Sequence, residues 1–268
     1  MKKLGFIGSG KMAGAIIKGI VKSEFISSEN IIATQLEPET ILQKSKELGV
    51  KVILDNVELT KCSDVIFIAV KPNQVLDILS EISEYITSDK LVVSIATGIT
   101  TEKLEANLLN GSRVVRVMPN TPALLGEGMS GIVAGKNATQ EDSEYVERLF
   151  NTIGKTIVVN NESQMDIVTA ISGSGPAFFY KVINDIARAG EKLGLDYEKA
   201  LLLSTQTSLG AAKMVFNREI SVEELISNVA TKGGCTRVGV DVMENIDTAK
   251  VFSEVISKTT EKASQLGK

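Results

Sequence analysis

Gly8-Ser9-Gly10-Lys11-Met12-Ala13 follows directly on the short apolar run Leu4-Gly5-Phe6-Ile7. A glycine-rich turn between a strand and a helix suits the pyrophosphate of a dinucleotide. Gly8 allows the tight turn, Gly10 lets backbone N–H groups approach the phosphates, and Ala13 is small enough for the helix to pack on the strand. The anion would rest on the N-terminus of that helix. Glycine-rich turns are common, and this one gains meaning from the alternating strands and helices around it. Further on, where a carboxylate would take the ribose 2′-hydroxyl of NAD, the second strand ends in Thr34 and Gln35, and the next carboxylate is Glu37. Neutral groups there tolerate a 2′-phosphate better than a carboxylate does. That favours NADP, with NADPH preferred and NADH still admissible, since no arginine flanks the strand. The alternative is that Thr34 and Gln35 are ordinary polar loop residues.

Three further segments end strands on the same expected edge: Ala69-Val70-Lys71-Pro72, Ser94-Ile95-Ala96-Thr97-Gly98 and Arg116-Val117-Met118-Pro119-Asn120-Thr121-Pro122. Ligand crevices open at the carboxyl ends of parallel strands, so these ends form one crevice. Lys71 read by itself is equally a solvated lysine before a helix-starting proline. Ser172-Gly173-Ser174-Gly175-Pro176-Ala177 interrupts a later helical pattern, and Thr231-Lys232-Gly233-Gly234-Cys235-Thr236 precedes another helix. Glycines and a hydroxyl at a helix start make an anion site suited to a carboxylate. The chain has no histidine, which removes the commonest general acid/base and the commonest metal ligand together. Its chemistry must run on a cofactor, hydroxyls, carboxylates or lysines.

The elements that must position these groups fall into two parts. Residues 4–7, 31–34, 50–53, 65–70, 91–96, 114–118, 130–134 and 156–159 read as strands, with helical patterns over 13–21, 38–48 and 74–86. This alternation argues for a parallel sheet with helices on both faces. The run Val65-Ile66-Phe67-Ile68-Ala69-Val70 is apolar throughout, as in a strand buried on both sides. Composition shifts near residue 161: Pro38, Pro72, Pro119 and Pro122 precede it and only Pro176 follows. The expectation is an α/β chain with a Rossmann-type dinucleotide-binding domain over 1–160 and an all-helical domain over 161–268. Its helices are expected at 163–171, 176–193, 197–217, 222–229, 236–244 and 248–266, with Ser221 and Glu224 forming a capping box. The helix around Ala200 to Ala212 is apolar on more than one face, which calls for a partner subunit or a self-contained core.

A net charge of −4 leaves no basic footprint for nucleic acid. The N-terminal apolar run is too short for a signal peptide, and no later run approaches membrane-spanning length, so no membrane partner and a cytoplasmic location are expected. Cys62 and Cys235 lie far apart without a metal-binding spacing, so both are expected as reduced thiols with no metal site.

These segments together resemble the pyrroline-5-carboxylate reductase family over nearly the whole chain. The carriers are the Gly8 to Ala13 turn, Ala69 to Pro72, Arg116 to Pro122, Ser172 to Ala177 and Gly233 to Thr236. The resemblance implies NAD(P)H-dependent reduction of a cyclic imino acid to L-proline, the last step of proline synthesis. It also implies a homodimer interlocked through the helical domain, with a decamer of five dimers as the larger ring. Carried over by position, the nucleotide site falls on Ile7, Gly8, Ser9, Gly10, Lys11, Met12, Thr34, Gln35, Asn56, Ala69, Val70, Lys71, Pro72, Ile95, Ala96 and Thr97. Asn228 matches the position that reaches the nicotinamide from the neighbouring subunit. The substrate site falls on Glu162, Thr169, Glu219, Thr231, Gly233, Gly234, Cys235 and Thr236. The family loop usually reads Ser-Pro-Gly-Gly-Thr-Thr, and here Lys232 replaces the proline, which releases the φ restraint and adds a backbone donor.

Reducing a C=N bond needs a hydride and a cationic or hydrogen-bonded nitrogen, and an imine takes its proton from water near neutral pH, so no histidine is required. The N–H groups from Gly234 to Thr236 are expected to hold the substrate carboxylate, with Thr169 or Thr236 as the catalytic hydroxyl near the ring nitrogen. Glu219 either stabilises the cationic nitrogen or is a surface carboxylate beside Arg218. Two rival readings are another imine or β-hydroxyacid reductase, with Lys181 or Lys192 as proton donor, and a non-catalytic regulatory homologue that binds nucleotide.

Overall fold

A computed structural model describes residues 2–266. In chain order the first elements are β1 Leu4–Ile7, α1 Lys11–Lys22, β2 Ile31–Thr34, α2 Ile41–Leu48, β3 Lys51–Ile53, α3 Asn56–Cys62, β4 Val65–Ile68 and α4 Val75–Ile82. There follow β5 Leu91–Ser94, α5 Thr101–Glu105, β6 Arg113–Met118, β7 Gly128–Ala134, α6 Gln140–Phe150, β8 Gly154–Val158 and α7 Gln164–Val168. The strands form one sheet in the order β3-β2-β1-β4-β5-β6-β7-β8. β4 shows why its sequence is apolar without alternation. Val65 and Phe67 belong to the core on one face of the sheet, with Ile16, Ile17 and Phe150, whereas Ile66 and Ile68 belong to the core on the other, with Leu59 and Leu79. Phe6 stacks on Phe67 at 4.3 Å between ring centroids, joining β1 to β4.

The sheet is parallel from β3 through β6, as expected, but β7 runs antiparallel to β6 and β8 then runs parallel to β7. Only a short 3-10 segment, Thr121–Leu125, joins β6 to β7, too little chain for a crossover back to a parallel neighbour. β4 and β5 end earlier than the apolar runs suggest, at Ile68 and Ser94, which frees Ala69 to Pro72 and Ile95 to Thr97 as loops on the carboxyl edge. Three helices lie where sequence periodicity predicts none. α3 and α5 have seven and five residues, too few to display a period. α6 is announced by the Thr139–Asp142 capping box and buries Tyr145, Val146, Leu149 and Phe150.

The chain divides into two compact units, the first running through Ser174 and taking in the C-terminal helix from Lys258 onward, the second being Gly175–Ser257. The division falls after the compositional shift because α7 packs on the sheet: Met165 and Val168 cluster with Met118 and Val133. The helix expected over 163–171 is α7 followed by a π-helical turn, Thr169–Gly173. The second unit contains α8 Gly175–Lys192, α9 Tyr197–Phe216, α10 Val222–Val229, α11 Cys235–Asn245 and the first part of α12 Thr248–Leu266. Within it α8 and α9 pair closely: Ser204 Oγ donates to Ile183 O at 2.9 Å and Tyr197 OH to Asn184 Oδ1 at 3.0 Å. No helix among the described residues is long and apolar enough to cross a membrane.

Candidate active site

β1 pairs with β2 on one side and with β4 on the other, so the chain reverses its direction of winding at β1, and the crevice at the carboxyl ends of these strands is the place for a ligand. Gly8 lies there at φ +98°, and a Cβ on it would sit 2.7 Å from the Ala69 carbonyl oxygen. Only glycine meets both demands. The Gly8 N–H donates to Thr34 Oγ1 at 3.2 Å, Ser9 Oγ donates to Gln35 Oε1 at 2.9 Å, and Gln35 Nε2 donates to Thr40 Oγ1 at 3.0 Å. Thr34 and Gln35 thus brace the glycine turn from the end of β2, a contact contained neither in their reading as cofactor-binding residues nor in the alternative of ordinary polar loop residues. Gly10 caps α1, and a Cβ there would meet nothing within 4 Å. The backbone at Gly10 and the unpaired N–H groups of the first turn, Lys11 and Met12 among them, are the cradle a pyrophosphate requires.

The other positions expected at the nucleotide lie as follows. Ala69 N–H donates to Ile7 O at 2.9 Å and Ile95 N–H to Ile68 O at 3.2 Å, which brings Ile7, Ala69 and Ile95 to one edge. Val70 is half-buried, Lys71 and Pro72 are exposed, and Ala96 is buried. Asn56 opens α3, and its Nδ2 donates to Glu81 Oε2 at 2.9 Å. Thr97 Oγ1 contacts Met118 Sδ at 3.8 Å.

Thr169 is buried in the π turn and its hydroxyl donates to Met165 O at 2.8 Å. With its proton committed, Oγ1 faces any ligand as an acceptor, which suits an N–H bearing cationic nitrogen. Gly173 closes the same turn so tightly on β6 that a Cβ there would meet Met118 Cε at 2.5 Å and Thr169 Cγ2 at 3.7 Å. Met118 therefore touches Thr97 on one side and the turn that carries Thr169 on the other.

Glu162 has both carboxylate oxygens engaged, one in an ion pair with Arg116 and the other accepting from Thr101 Oγ1 at 2.7 Å and Thr101 N–H at 3.3 Å. Arg116 is 2% exposed, and its Nε and Nη2 have no protein acceptor. Burial pushes the nearby Asp166 carboxyl above the usual range; Arg116 draws it down and Glu162 pushes it up again. Arg116 and Asn120 stand within a sequence motif that assigns neither a task, and Thr101 carries no sequence signal.

In the helical unit, Thr231 to Gly234 form a turn closed by Gly234 N–H to Thr231 O at 3.0 Å, with Gly233 at φ +79°. Lys232 occupies the second position, where proline is favoured when the third residue has positive φ. The Gly234 N–H, expected on the substrate, is spent on closing this turn, so the anion-facing donors narrow to Cys235, Thr236 and the residue after them in the first turn of α11. Thr236 also borders an apolar cavity of about 350 Å³ lined by Met214, Val222, Ile226 and Val229. Asn228 is exposed on the last turn of α10. Glu219 is exposed, and Arg218 donates to Val215 O at 2.7 Å rather than to Glu219.

The chain is similar to known proteins over its length. Residues 162–266 match the family model described as pyrroline-5-carboxylate reductase dimerisation, and residues 3–98 match NADP oxidoreductase coenzyme F420-dependent. The pyrroline-5-carboxylate reductase of Methanosarcina acetivorans is 40% identical over 100% of this chain and 98% of its own length. That of Haemophilus influenzae is 38% identical over 96% and 93%. A solved pyrroline-5-carboxylate reductase from Coxiella burnetii superposes with a TM-score of 0.94 at 32% identity, covering 100% of this chain and 99% of that one. The Plasmodium falciparum enzyme, solved with NADP bound, gives 0.88 at 34%, covering 100% and 98%. With relatives this similar along its entire length, the chain belongs to the pyrroline-5-carboxylate reductase family.

Proposed function

We propose that the chain reduces 1-pyrroline-5-carboxylate to L-proline in the cytoplasm, with NADPH as the preferred reductant and NADH accepted. The observation that carries this reading is the meeting of Thr97, from the nucleotide edge, and the Thr169 turn on a single side chain, Met118. A reduced nicotinamide bound at this edge would supply the hydride for the imine carbon, and the ring nitrogen takes its proton from water. Gly8, Gly10 and the first turn of α1 hold the pyrophosphate, and Thr34 and Gln35, neutral and braced, leave room for a 2′-phosphate. Thr169 Oγ1 accepts from the protonated ring nitrogen. Cys235 and Thr236 N–H groups, with the Thr236 hydroxyl, hold the carboxylate at the start of α11, in a loop shaped by Thr231, Gly233 and Gly234. Glu219 stabilises the cationic nitrogen, and Asn228 contributes from a neighbouring subunit.

Homodimerisation through the helical unit is part of the proposal, supported by its exposed apolar side chains, with a ring of five dimers as the fuller assembly. Unpaired Cys62 and Cys235 accord with a reducing location. Lys181, the candidate proton donor for a β-hydroxyacid reductase, is exposed and ion-paired with Asp185 at 2.6 Å on its own helix, which disfavours that rival. Following NADPH oxidation with pyrroline-5-carboxylate, piperideine-6-carboxylate and a β-hydroxyacid couple tests the reading. Turnover highest with the five-membered imine is expected, together with a strong loss of kcat/KM in Thr236→Ala. Tight NADPH binding with no turnover of any substrate overturns it.

A further inference from the structure

Arg116, Met118 and Asn120 alternate along the end of β6 and just beyond it, so strand periodicity turns them to one side. Each takes hold of a different point of segment 162–173. Arg116 pairs with Glu162 ahead of α7, and Met118 packs on Met165, Val168 and the bare face of Gly173. Asn120 secures the far end: its Nδ2 donates to Ser172 O at 3.1 Å and lies 3.4 Å from Ser172 Oγ, while its Oδ1 accepts from Met129 N–H at 2.9 Å. Ser172 Oγ in turn donates to Met129 O at 3.1 Å, closing a ring of hydrogen bonds among the β6 end, β7 and the π turn.

A π turn is an uncommon and poorly bonded form of helix that persists where its surroundings hold it. Here the holding groups are side chains of the sheet placed on either side of Thr169. We propose that Arg116 and Asn120 are positioning residues for Thr169: they fix the π turn so that Thr169 Oγ1 stands at the nucleotide edge, and Glu162 acts through Arg116 and Thr101 rather than by contact with the substrate. The inference rests on the reading of Thr169 as the acceptor for the ring nitrogen. A displacement of an ångström in such a group costs on the order of a hundredfold in rate.

The test is epistasis measured with the full-length enzyme. Asn120→Ser, Ser172→Ala, Glu162→Gln and Thr169→Ala are assayed singly for kcat, KM of the imine and Kd of NADPH, and the first three again in the Thr169→Ala background. Ser172→Ala removes the Asn120 bonds from the other side and covers the case in which Asn120→Ser folds poorly. The expected result is a fall in kcat/KM of about tenfold or more for each clamp variant, with NADPH affinity unchanged, and no further fall when Thr169 is already alanine. Losses that multiply in the double variants, or that follow melting temperature alone, overturn the inference. Thr169→Ala impaired with all clamp variants unimpaired overturns it while leaving the proposed function intact. Thr169→Ala with unchanged kcat/KM overturns the inference together with the role of Thr169 on which it rests, while the proposed reduction itself stands.

Discussion

The sheet unit and the helical unit solve the burial problem differently. The first buries Phe6, Phe67, Phe150 and a shell of Ile, Leu and Val on both faces of the sheet, and its nucleotide turn is braced by hydrogen bonds from β2. In the second, the buried side chains are small, such as Ala187, Ala200, Ser204 and Ala230, while Phe179, Tyr180, Leu202, Leu203 and Met214 are exposed. A helical layer that hides its small residues and shows its large ones is half of a core. The difference supports the proposal that the pyrophosphate end of the dinucleotide is held within one chain, whereas the proposed substrate site, with Asn228 reaching the nicotinamide, is completed when a second copy covers the helical layer.

The largest expected effect comes from breaking that completion. Phe179→Glu combined with Leu202→Glu puts two charges on the apolar faces of α8 and α9. Sedimentation should show monomers, and imine reduction should fall by about a hundredfold or more, since hot-spot losses of this kind exceed ~2 kcal/mol each. NADPH titration should remain near the wild-type affinity. Equal loss of NADPH binding would erase the distinction between the units.

The next pair sharpens the picture of the sheet unit itself. Gly8→Ala forces a Cβ at φ +98° against the Ala69 carbonyl, at a cost of about 1–3 kcal/mol, and should lower the melting temperature and NADPH affinity together. Gly10→Ala meets nothing in the free protein and its backbone lies at φ −69°, so melting should hold while NADPH affinity drops about tenfold or more, because the methyl group occupies the space of the phosphates. Thermal melts beside fluorescence titrations read both outcomes.

Those two glycines also mark what was legible in the sequence. The Gly8 turn, the buried runs of β1 and β4 and the six C-terminal helical segments carry strong local signals, because each is fixed by neighbours in the chain. The antiparallel β7 depends on the shortness of one connection, and α3 and α5 on single caps, Asp55 and Thr100. The use of the Gly234 N–H in its own turn, the engagement of both Glu162 oxygens and the π form of Thr169–Gly173 are tertiary facts. A list of matching positions names those residues but not which of their donors and acceptors are already spent.

Both units carry exposed ion pairs, Lys18 with Glu47 among them in the sheet unit, and the sheet unit adds partly buried charge around Arg116; these give the smallest effects. The helical unit carries its ion pairs on the surface, Arg188 with Glu191 at 2.8 Å and Arg237 with Asp241 at 2.5 Å, and exposed pairs of this kind contribute little to stability because solvent screens them. Glu191→Ala, which removes the pair and leaves the stacking of Arg188 on Tyr197 in place, should therefore leave melting unchanged within about a degree. Asp166 in the sheet unit differs: its carboxyl is raised mainly by burial, with Arg116 of β6 opposing the shift and Glu162 reinforcing it. A carboxyl raised in the fold favours folding below its unfolded value, and that benefit is lost as pH climbs through the raised folded value. Above that range the native protein carries a charge its surroundings disfavour. Asp166→Asn removes the charge, so the variant should melt slightly higher than wild type at pH 7, and the difference should shrink as pH falls and vanish below the unfolded carboxyl value. Melting curves across that interval decide the matter: a variant less stable at pH 7 would mean that attraction to Arg116 outweighs burial.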